Sequence, residues 1–253
     1  MKIDRYRCQK SFEEYYKNYD VNDEKIELKI YHSKKVSELC ELISRALKLN
    51  EEDIDLTWLI GLVHDIGRFE QLKIYNTFQD AISIDHAMLG SKILFEENEI
   101  RNYVDNFSED MLIKKAIEQH SAYEVTGVTD ERTLMFCNIL RDADKIDILR
   151  VAAETPPELI DGKTLEIYET TITNKVMDDI ENKRTVLIQH RRTPIDCLIG
   201  RIALVFGLEN DISKKIVLEQ GYIKNLFEFG NTNYSVQNQI EKVQNIVMEY
   251  LEE

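Results

Sequence analysis

The stretch Val63-His64-Asp65-Ile66-Gly67-Arg68 ends a strongly apolar segment with two adjacent side chains of metal-binding type. Residues 54–66 repeat their apolar side chains at helical spacing, so the sequence predicts a helix there. Gly67 follows where a glycine commonly ends a helix. A histidine and an aspartate at the end of a buried helix are costly to desolvate unless a ligand binds them. We therefore expect this pair to lie at the centre of a binding site.

The overall composition is that of a globular, largely helical protein. The chain has 253 residues, of which 43% are hydrophobic and 31% are charged, and its formal net charge is −15. Only three prolines and nine glycines interrupt it, which favours long helices. The acidic balance argues against a general nucleic-acid or anionic-membrane surface. An anionic substrate stays compatible with it, because a bound dication inverts the local field.

The sequence predicts a cytoplasmic protein that is not attached to a membrane. The first ten residues lack the apolar core of a secretory signal. No apolar run approaches the roughly 20 residues of a membrane-spanning helix. The four cysteines, Cys8, Cys40, Cys137 and Cys197, are scattered and form no CxxC pair. This spacing favours free thiols in a reducing cytosol over a disulfide framework or a zinc site.

Apolar residues at helical spacing predict helices along most of the chain. The expected helices cover residues 11–19, 23–47, 54–66, 85–97, 111–121, 131–153, 163–181, 194–208, 212–226 and 234–251. Residues 72–83 are expected to form a loop and residues 185–190 a short strand. Pro156-Pro157 predicts a boundary between a first domain, residues 1–155, and a helical C-terminal extension packed on it, residues 156–253. The predicted fold class is all-α.

Several histidines and one further aspartate could join the His64-Asp65 pair. His32, His86 and His120 also fall at the ends or on the buried faces of predicted helices. Asp144 lies in a largely apolar helix, where a carboxylate rarely occurs without a partner. Imidazole and carboxylate ligands together suit Zn²⁺, Mn²⁺ or Fe²⁺. A single buried histidine is more often a hydrogen-bonded core residue than a ligand, so the prediction depends on the whole set.

Five blocks, in order along the chain, resemble the motifs of a known family. They are Lys29-Ile30-Tyr31-His32, His64-Asp65-Ile66-Gly67-Arg68, Asp85-His86 with Gly90, Glu118-Gln119-His120, and Arg141-Asp142-Ala143-Asp144-Lys145-Ile146-Asp147. Over roughly residues 10–155 the chain thus resembles the HD-domain superfamily of metal-dependent phosphohydrolases. The resemblance implies an HD-domain-like helical bundle, here with additional C-terminal helices. The signature of the cyclic-dinucleotide branch (HD-GYP) is absent, because Ser-Ala-Tyr-Glu-Val-Thr-Gly follows His120.

The resemblance also implies a site for one or two divalent metal ions, with Mn, Fe, Zn, Ni, Co and Mg all left open. The six implied ligands are His32, His64, Asp65, His86, His120 and Asp144. In members with a second metal, two extra histidines hold it; His86 and His120 match these, and Asp65 matches the bridging carboxylate. Asp144 is preferred to Asp142 because Ala-Asp-Lys is the usual form of the family's last motif.

Asp65, Arg68 and Lys145 are the predicted catalytic residues. Two cations bridged by Asp65 would lower the pKa of a shared water and neutralise phosphoryl oxygens. Arg68 and Lys145 could contact the substrate phosphate, and a surface salt bridge is the alternative for Arg68. Asp147 either orients a ligand histidine or is a solvated carboxylate.

Two other groups of residues have a structural and a functional interpretation. His190-Arg191-Arg192 is a basic island that could close over an anionic substrate, although a turn with solvated side chains is favoured. Phe12, Tyr15, Tyr16 and Tyr19 form an aromatic stripe, which we interpret as core and not as a base-stacking platform.

The sequence therefore predicts a metal-dependent phosphohydrolase that cleaves a phosphoester of a small molecule, such as a nucleotide, with a metal-activated water. The expected partner is this small phosphorylated substrate, and the C-terminal helices could support a homo-oligomer. One alternative is a di-iron, oxygen-dependent oxygenase with the same ligands. Another is a non-catalytic, nucleotide-sensing module. The module ranks last, because degenerate members usually lose ligands and this chain retains all six.

Overall fold

The structure, a computed structural model, describes residues 1–155, 170–228 and 234–253. Regular structure in these residues is helical throughout, without a strand among them, which confirms the predicted all-α class. The first helices are α1 (Arg5–Tyr16), α2 (Glu24–Ala46), α3 (Glu51–Val63), α4 (Ile66–Tyr75), α5 (His86–Phe95), α6 (Ile100–Tyr103), α7 (Asp110–Gln119) and α8 (Glu131–Glu154). They are followed by α9 (Asn174–Glu181), α10 (Pro194–Ile202), α11 (Asp211–Gln220), α12 (Tyr222–Asn225) and α13 (Tyr234–Glu252). Short 3-10 helices occur at Asp80–Ile82, Ile188–His190 and Ala203–Gly207.

The described chain divides into two compact units, Met1–Asp144 and Lys145–Glu253, and the division falls inside α8. The boundary that the sequence predicts at Pro156-Pro157 lies outside the described residues and stays a prediction. The same holds for residues 163–169 of the predicted helix 163–181. Within the described part of that prediction, residues 170–173 are not helical and α9 covers Asn174–Glu181. In the described residues no helix is long and apolar enough to cross a membrane.

Side-chain caps fix where several helices of the first unit begin. Asp23 accepts a hydrogen bond from the backbone N–H of Lys25 at 2.7 Å and caps α2. Asn50 caps α3, and Asp85 caps α5. Such oxygens satisfy N–H groups that the first turn of a helix leaves without a partner. The cap at Asp85 therefore places His86 at the first helical position.

The prediction for the end of the apolar helix was wrong. α3 ends at Val63 and α4 begins at Ile66, so Gly67 lies in the first turn of the next helix and ends none. Gly67 is needed there for close packing: a Cβ on it would lie 2.3 Å from the carbonyl oxygen of His86. The glycine therefore lets α4 lie directly against the start of α5.

Two other local predictions need correction. Residues 72–83 are not all loop, because α4 continues to Tyr75 and ends at Asn76, which has a left-handed φ of 52°. Residues 185–190 form no strand but end in the 3-10 helix Ile188–His190. A single strand cannot satisfy its own backbone groups, and the described residues offer no second strand to pair with it.

Close contact between α2 and α3 brings their functional residues side by side. A Cβ on Gly61 would lie 2.8 Å from the Cα of Ser37, so only glycine permits this approach. Further along, the buried hydroxyl groups of Ser44 and Thr57 are hydrogen-bonded at 2.7 Å. The two helices therefore pack tightly along the face that carries His32.

Of the aromatic stripe, Phe12 is core as predicted, whereas Tyr15, Tyr16 and Tyr19 are half-buried. Phe12, at 1% exposure, packs edge-on against Phe69 of α4, with ring centroids 6.0 Å apart. Tyr15 and Tyr19 also contact the Phe69 ring, at 5.9 Å and 5.5 Å. The hydroxyl of Tyr15 donates a hydrogen bond to the carbonyl oxygen of Ile66 at 3.3 Å. α1 thereby packs against the first turn of α4, next to Asp65.

The basic island of the second unit is mostly engaged in internal contacts. His190 is hydrogen-bonded through Nδ1 to the buried carboxylate of Asp179. Arg191 donates to the carbonyl oxygens of Val186 at 2.9 Å and Gly200 at 3.3 Å. The predicted solvated turn thus holds for the side chain of Arg192 alone.

The cysteines are free, as predicted, and Cys8, Cys40 and Cys137 are buried. Burial raises the pKa of the Cys8 thiol to about 12 and that of Cys137 to about 11. These thiols are therefore protonated and inert core groups.

We expect Gly67→Ala to lower the free energy of unfolding by about 1–3 kcal/mol, because its methyl group would meet backbone atoms of α5 that cannot move aside cheaply. Gly90→Ala is the matched control on the same contact. Its Cβ would lie 3.4 Å from the backbone nitrogen of Gly67, an ordinary distance, and alanine favours the helix by about 1 kcal/mol. Urea unfolding measures both, and equal losses would contradict the proposed role of Gly67.

Candidate metal centre

The structure brings all six predicted metal ligands together inside the first unit. They are His32 in α2, His64 and Asp65 between α3 and α4, His86 at the start of α5, His120 at the end of α7, and Asp144 in α8. The four histidines and Asp65 are at most 4% exposed, and the Asp144 side chain is 13% exposed. A buried cluster of this polarity is unfavourable unless its members bind one another or a ligand.

Asp65 lies between two pairs of histidines and turns one carboxylate oxygen toward each pair. Its Oδ2 atom lies 3.6 Å from Nε2 of His32 and 3.7 Å from Nε2 of His64. Its Oδ1 atom lies 3.4 Å from Nε2 of His86 and 3.6 Å from Nε2 of His120. The carboxylate therefore has the placement that a bridge between two ions requires.

On the Oδ2 side, His64 has a nitrogen without a hydrogen bond. Its Nδ1 atom lies 2.7 Å from the carbonyl oxygen of Gly61, which can only accept, so Nδ1 carries the proton. The buried Nε2 atom then has a bare lone pair and makes no hydrogen bond. It lies 3.7 Å from Oδ1 of Asp144, which itself lies 3.1 Å from Nε2 of His32. Burial lowers the pKa of His64 and keeps the ring neutral, as a ligand must be.

On the Oδ1 side, two lone pairs face each other. His120 holds its proton on Nδ1, 2.7 Å from the carbonyl oxygen of Ile117. His86 directs Nδ1 at the carboxylate of Asp80, 2.6 Å away, and burial lowers the pKa of His86 to about 4. The Nε2 atoms of the two rings are only 3.0 Å apart. Two bare lone pairs at this distance repel unless a cation, either a proton or a metal ion, lies between them.

The residues present therefore fit divalent metal ions. The ligand atoms of His32, His64 and Asp144 lie within 4.8 Å of one another, as do those of His64, Asp65 and His120. Asp142 is fully buried, but it is two residues from Asp144 and so projects toward another side of α8. Neutral imidazoles and carboxylates suit several metals and select none of them.

Lys29 is a member of the site that the sequence had not assigned. It lies one turn before His32 on α2, and its Nζ atom donates a hydrogen bond to Oδ2 of Asp65 at 2.7 Å. Burial alone would raise the pKa of Asp65, but its partners, first among them the charge of Lys29, outweigh it and hold this pKa well below its ordinary value. The spacing to His32 was the available signal, since residues one turn apart share a helix face.

Arg68 lies beside Asp65, but its guanidinium is hydrogen-bonded to the loop between α4 and α5. Its Nη1 atom donates to the carbonyl oxygen of Phe78 at 2.6 Å and to Oδ1 of Asp80 at 2.7 Å. Its Nε atom is 3.7 Å from Oδ1 of Asp65, and the side chain is only 15% exposed. Arg68 therefore forms a salt bridge with Asp80, as the alternative interpretation expected, but a largely buried one and not one at the surface. The predicted substrate contact stays a prediction.

The predicted site residues that follow Asp144 belong to the second unit. Lys145 is 8% exposed and packs against Gly207, where a Cβ would lie 3.1 Å from its Cε atom. Its contact with a substrate phosphate stays a prediction. Asp147 is buried and accepts two hydrogen bonds from Arg150, at 2.7 Å and 2.9 Å, so the solvated alternative for this carboxylate is wrong.

Arg141 is a second residue that the sequence had not assigned. Its guanidinium donates to the carbonyl oxygens of Gln119, at 2.9 Å, and Tyr123, at 3.0 Å. These hydrogen bonds satisfy carbonyl groups at the end of α7 and place a positive charge at its negative pole. They hold the turn that carries His120.

Comparison with known families agrees with this geometry. Residues 30–149, which include all six predicted ligands, match the family model of the HD domain. Residues 30–149 belong to the HD-domain superfamily. Neither the curated proteins nor the solved structures gave a match. Metal-dependent hydrolases are typical of this superfamily, and the exclusion of the cyclic-dinucleotide branch stays a prediction.

Replacing Lys29 with methionine should destabilise the metal-free protein by about 3 kcal/mol, because the buried Asp65 loses its charged partner. Added Mn²⁺ should restore most of this loss, since a bound cation replaces the missing ammonium group. Urea unfolding in EDTA measures the loss of stability without metal, and urea unfolding in Mn²⁺ measures how much of it the metal restores.

Lys35→Met is the control on the same helix. Lys35 pairs with Glu38 at the surface, so its replacement should cost less than about 1 kcal/mol with or without metal. A loss in the Lys29 variant that Mn²⁺ leaves unchanged would contradict the assigned role of Lys29.

Proposed function

We propose that this HD domain is a phosphohydrolase that cleaves a phosphoester of a small molecule, such as a nucleotide, with a metal-activated water. The observation that carries the proposal is the buried carboxylate of Asp65, shared between two histidine pairs whose ligand nitrogens converge on it. Membership of the HD-domain superfamily supports hydrolysis as the reaction class.

The residues divide into two sets of ligands. One ion would be held by His32, His64, Asp65 and Asp144, and a second by Asp65, His86 and His120. When bound, such ions lower the pKa of a water toward neutrality and neutralise charge on phosphoryl oxygens. The chain itself keeps the ligand nitrogens free of protons, because the Nδ1 atoms of His64 and His120 donate to backbone carbonyl oxygens. These two imidazoles thus need no change of tautomer to bind a cation.

The surroundings of Asp65 also suit an anionic substrate, although the chain as a whole carries a net charge of −15. Lys29 and Arg68 place two cations next to the carboxylate. The ring of Phe78 lies beside both: its centroid is 5.3 Å from Nζ of Lys29 and 5.8 Å from Cζ of Arg68. Two cations and an aromatic ring would recognise a phosphate joined to a base, which supports a nucleotide as the substrate class.

Asp65→Ala should lower the hydrolysis of phosphoesters at least about a hundredfold and release bound metal, because it removes the carboxylate that both ligand sets share. A panel of nucleotides and sugar phosphates with Mn²⁺, Co²⁺, Ni²⁺ or Mg²⁺ measures turnover, and circular dichroism checks that the helices remain. Asp105→Ala is the control, since Asp105 is 84% exposed and pairs with Arg7, and neither residue is a predicted ligand.

Undiminished turnover by the Asp65 variant would contradict the proposed centre. If the wild-type protein binds nucleotides tightly but turns over none of the panel with any metal, the non-catalytic module replaces the hydrolase. Metal-dependent consumption of oxygen by the iron-loaded protein, without phosphoester cleavage, would instead favour the oxygenase.

A further inference from the structure

We propose that Asp80 is a positioning residue that holds the proton of His86 on Nδ1 and thereby sets the affinity of the second ion. The inference rests on the metal centre of the proposed function but not on hydrolysis. Its starting point is the hydrogen bond of 2.6 Å between Nδ1 of His86 and Oδ2 of Asp80. Because an ionised carboxylate can only accept, the ring nitrogen donates, and Nε2 is left as a lone pair for a ligand.

Asp80 is itself held in one orientation by two donors. Its Oδ1 atom accepts from Nη1 of Arg68 at 2.7 Å and from Nε2 of Gln71 at 2.8 Å. Gln71 is fully buried, and its amide also donates to the Ser83 hydroxyl at 2.9 Å. One carboxylate oxygen is thus reserved for Arg68 and Gln71, and the other for His86.

His86 differs from His64 and His120 in depending on a side chain. The latter two donate from Nδ1 to backbone carbonyl oxygens, which no substitution removes. The acceptor for His86 is encoded by one residue of the loop between α4 and α5. A change at Asp80 should therefore act on one of the two ligand sets and leave the other intact.

The substitution Asp80→Asn gives the sharpest test, because it changes the hydrogen-bonding pattern and keeps the shape. The amide oxygen of asparagine is expected to replace Oδ1, where Arg68 and Gln71 both donate. Its NH₂ group then faces His86, whose Nδ1 atom must accept. The imidazole proton moves to Nε2 and blocks the position where an ion would bind.

The experiment titrates the metal-free chain of 253 residues with Mn²⁺ by calorimetry and records ¹⁵N spectra of its histidines. In Asp80→Asn we expect the second equivalent of Mn²⁺ to bind about 10- to 100-fold more weakly, with the first unchanged. The His86 spectrum should change from Nδ1-protonated to Nε2-protonated before any metal is added, which a merely structural effect would not produce. Asp80→Ala should give a mixture of the two tautomers and a smaller loss of affinity.

Asp85→Asn is the matched control. Asp85 is the next aspartate in the same loop and precedes His86, but it accepts from backbone N–H groups of α5, a role that an asparagine oxygen can keep. This substitution should leave the affinities for both equivalents of Mn²⁺ and the His86 tautomer unchanged.

The proposal is overturned if Asp80→Asn leaves the His86 tautomer and the second equivalent unchanged, or if the wild-type chain binds a single equivalent. It is also overturned if Asp85→Asn weakens binding as much, since the effect then belongs to the loop. Because none of these measurements uses turnover, the absence of phosphoester cleavage would reject the proposed function and leave this inference standing.

Discussion

The buried carboxylate of Asp65 is the constraint on which the rest of the site depends. It is 2% exposed and surrounded by four imidazoles, so its charge must be balanced locally. In the protein alone, Lys29 supplies a balancing charge through a hydrogen bond of 2.7 Å. The same ammonium group lies on the oxygen that faces His32 and His64, so it stands where one set of ligands converges. The place where Lys29 balances the charge of Asp65 in the protein alone is therefore also the place where a metal ion could balance it.

Helix packing explains how residues so distant in sequence reach that carboxylate. Gly61 lets α3 approach α2, and Gly67 lets α4 approach α5, in each case at distances that a Cβ would prevent. The aromatic cluster around Phe69 presses α1 against the first turn of α4. Asp65 lies between the ends of α3 and α4, so these contacts fix it from three sides. The rigidity that a metal site needs comes from the core and not from the ligands.

The sequence identified the six candidate metal ligands, but it did not identify the residues that hold those ligands in place. Buried polar residues in apolar helices are recognisable, since their desolvation must be compensated, and the family's motif order supplied the six ligands. Asp80 and Gln71 were not recognisable in this way, because they lie in or before a segment without periodicity and act through hydrogen bonds that only the folded chain creates. The helix end was wrongly predicted at Gly67 for a similar reason, because the contact that requires this glycine exists only in the folded chain. A glycine that ends a helix and one that permits close packing look alike in a single sequence.

The polarity of the helices explains why His86 needs Asp80. His64 and His120 each cap the C-terminus of a helix, α3 and α7, where carbonyl groups lack partners. Each ring donates from Nδ1 to the carbonyl three residues earlier, which satisfies the helix end and directs Nε2 inward. His86 occupies the opposite end of its helix, where the free backbone groups are N–H donors that cannot accept a proton from an imidazole. An acceptor must therefore come from outside the helix, and the loop before α5 provides it in Asp80. His86, at a helix N-terminus, thus depends on an acceptor from outside its own helix, which His64 and His120 at helix C-termini do not.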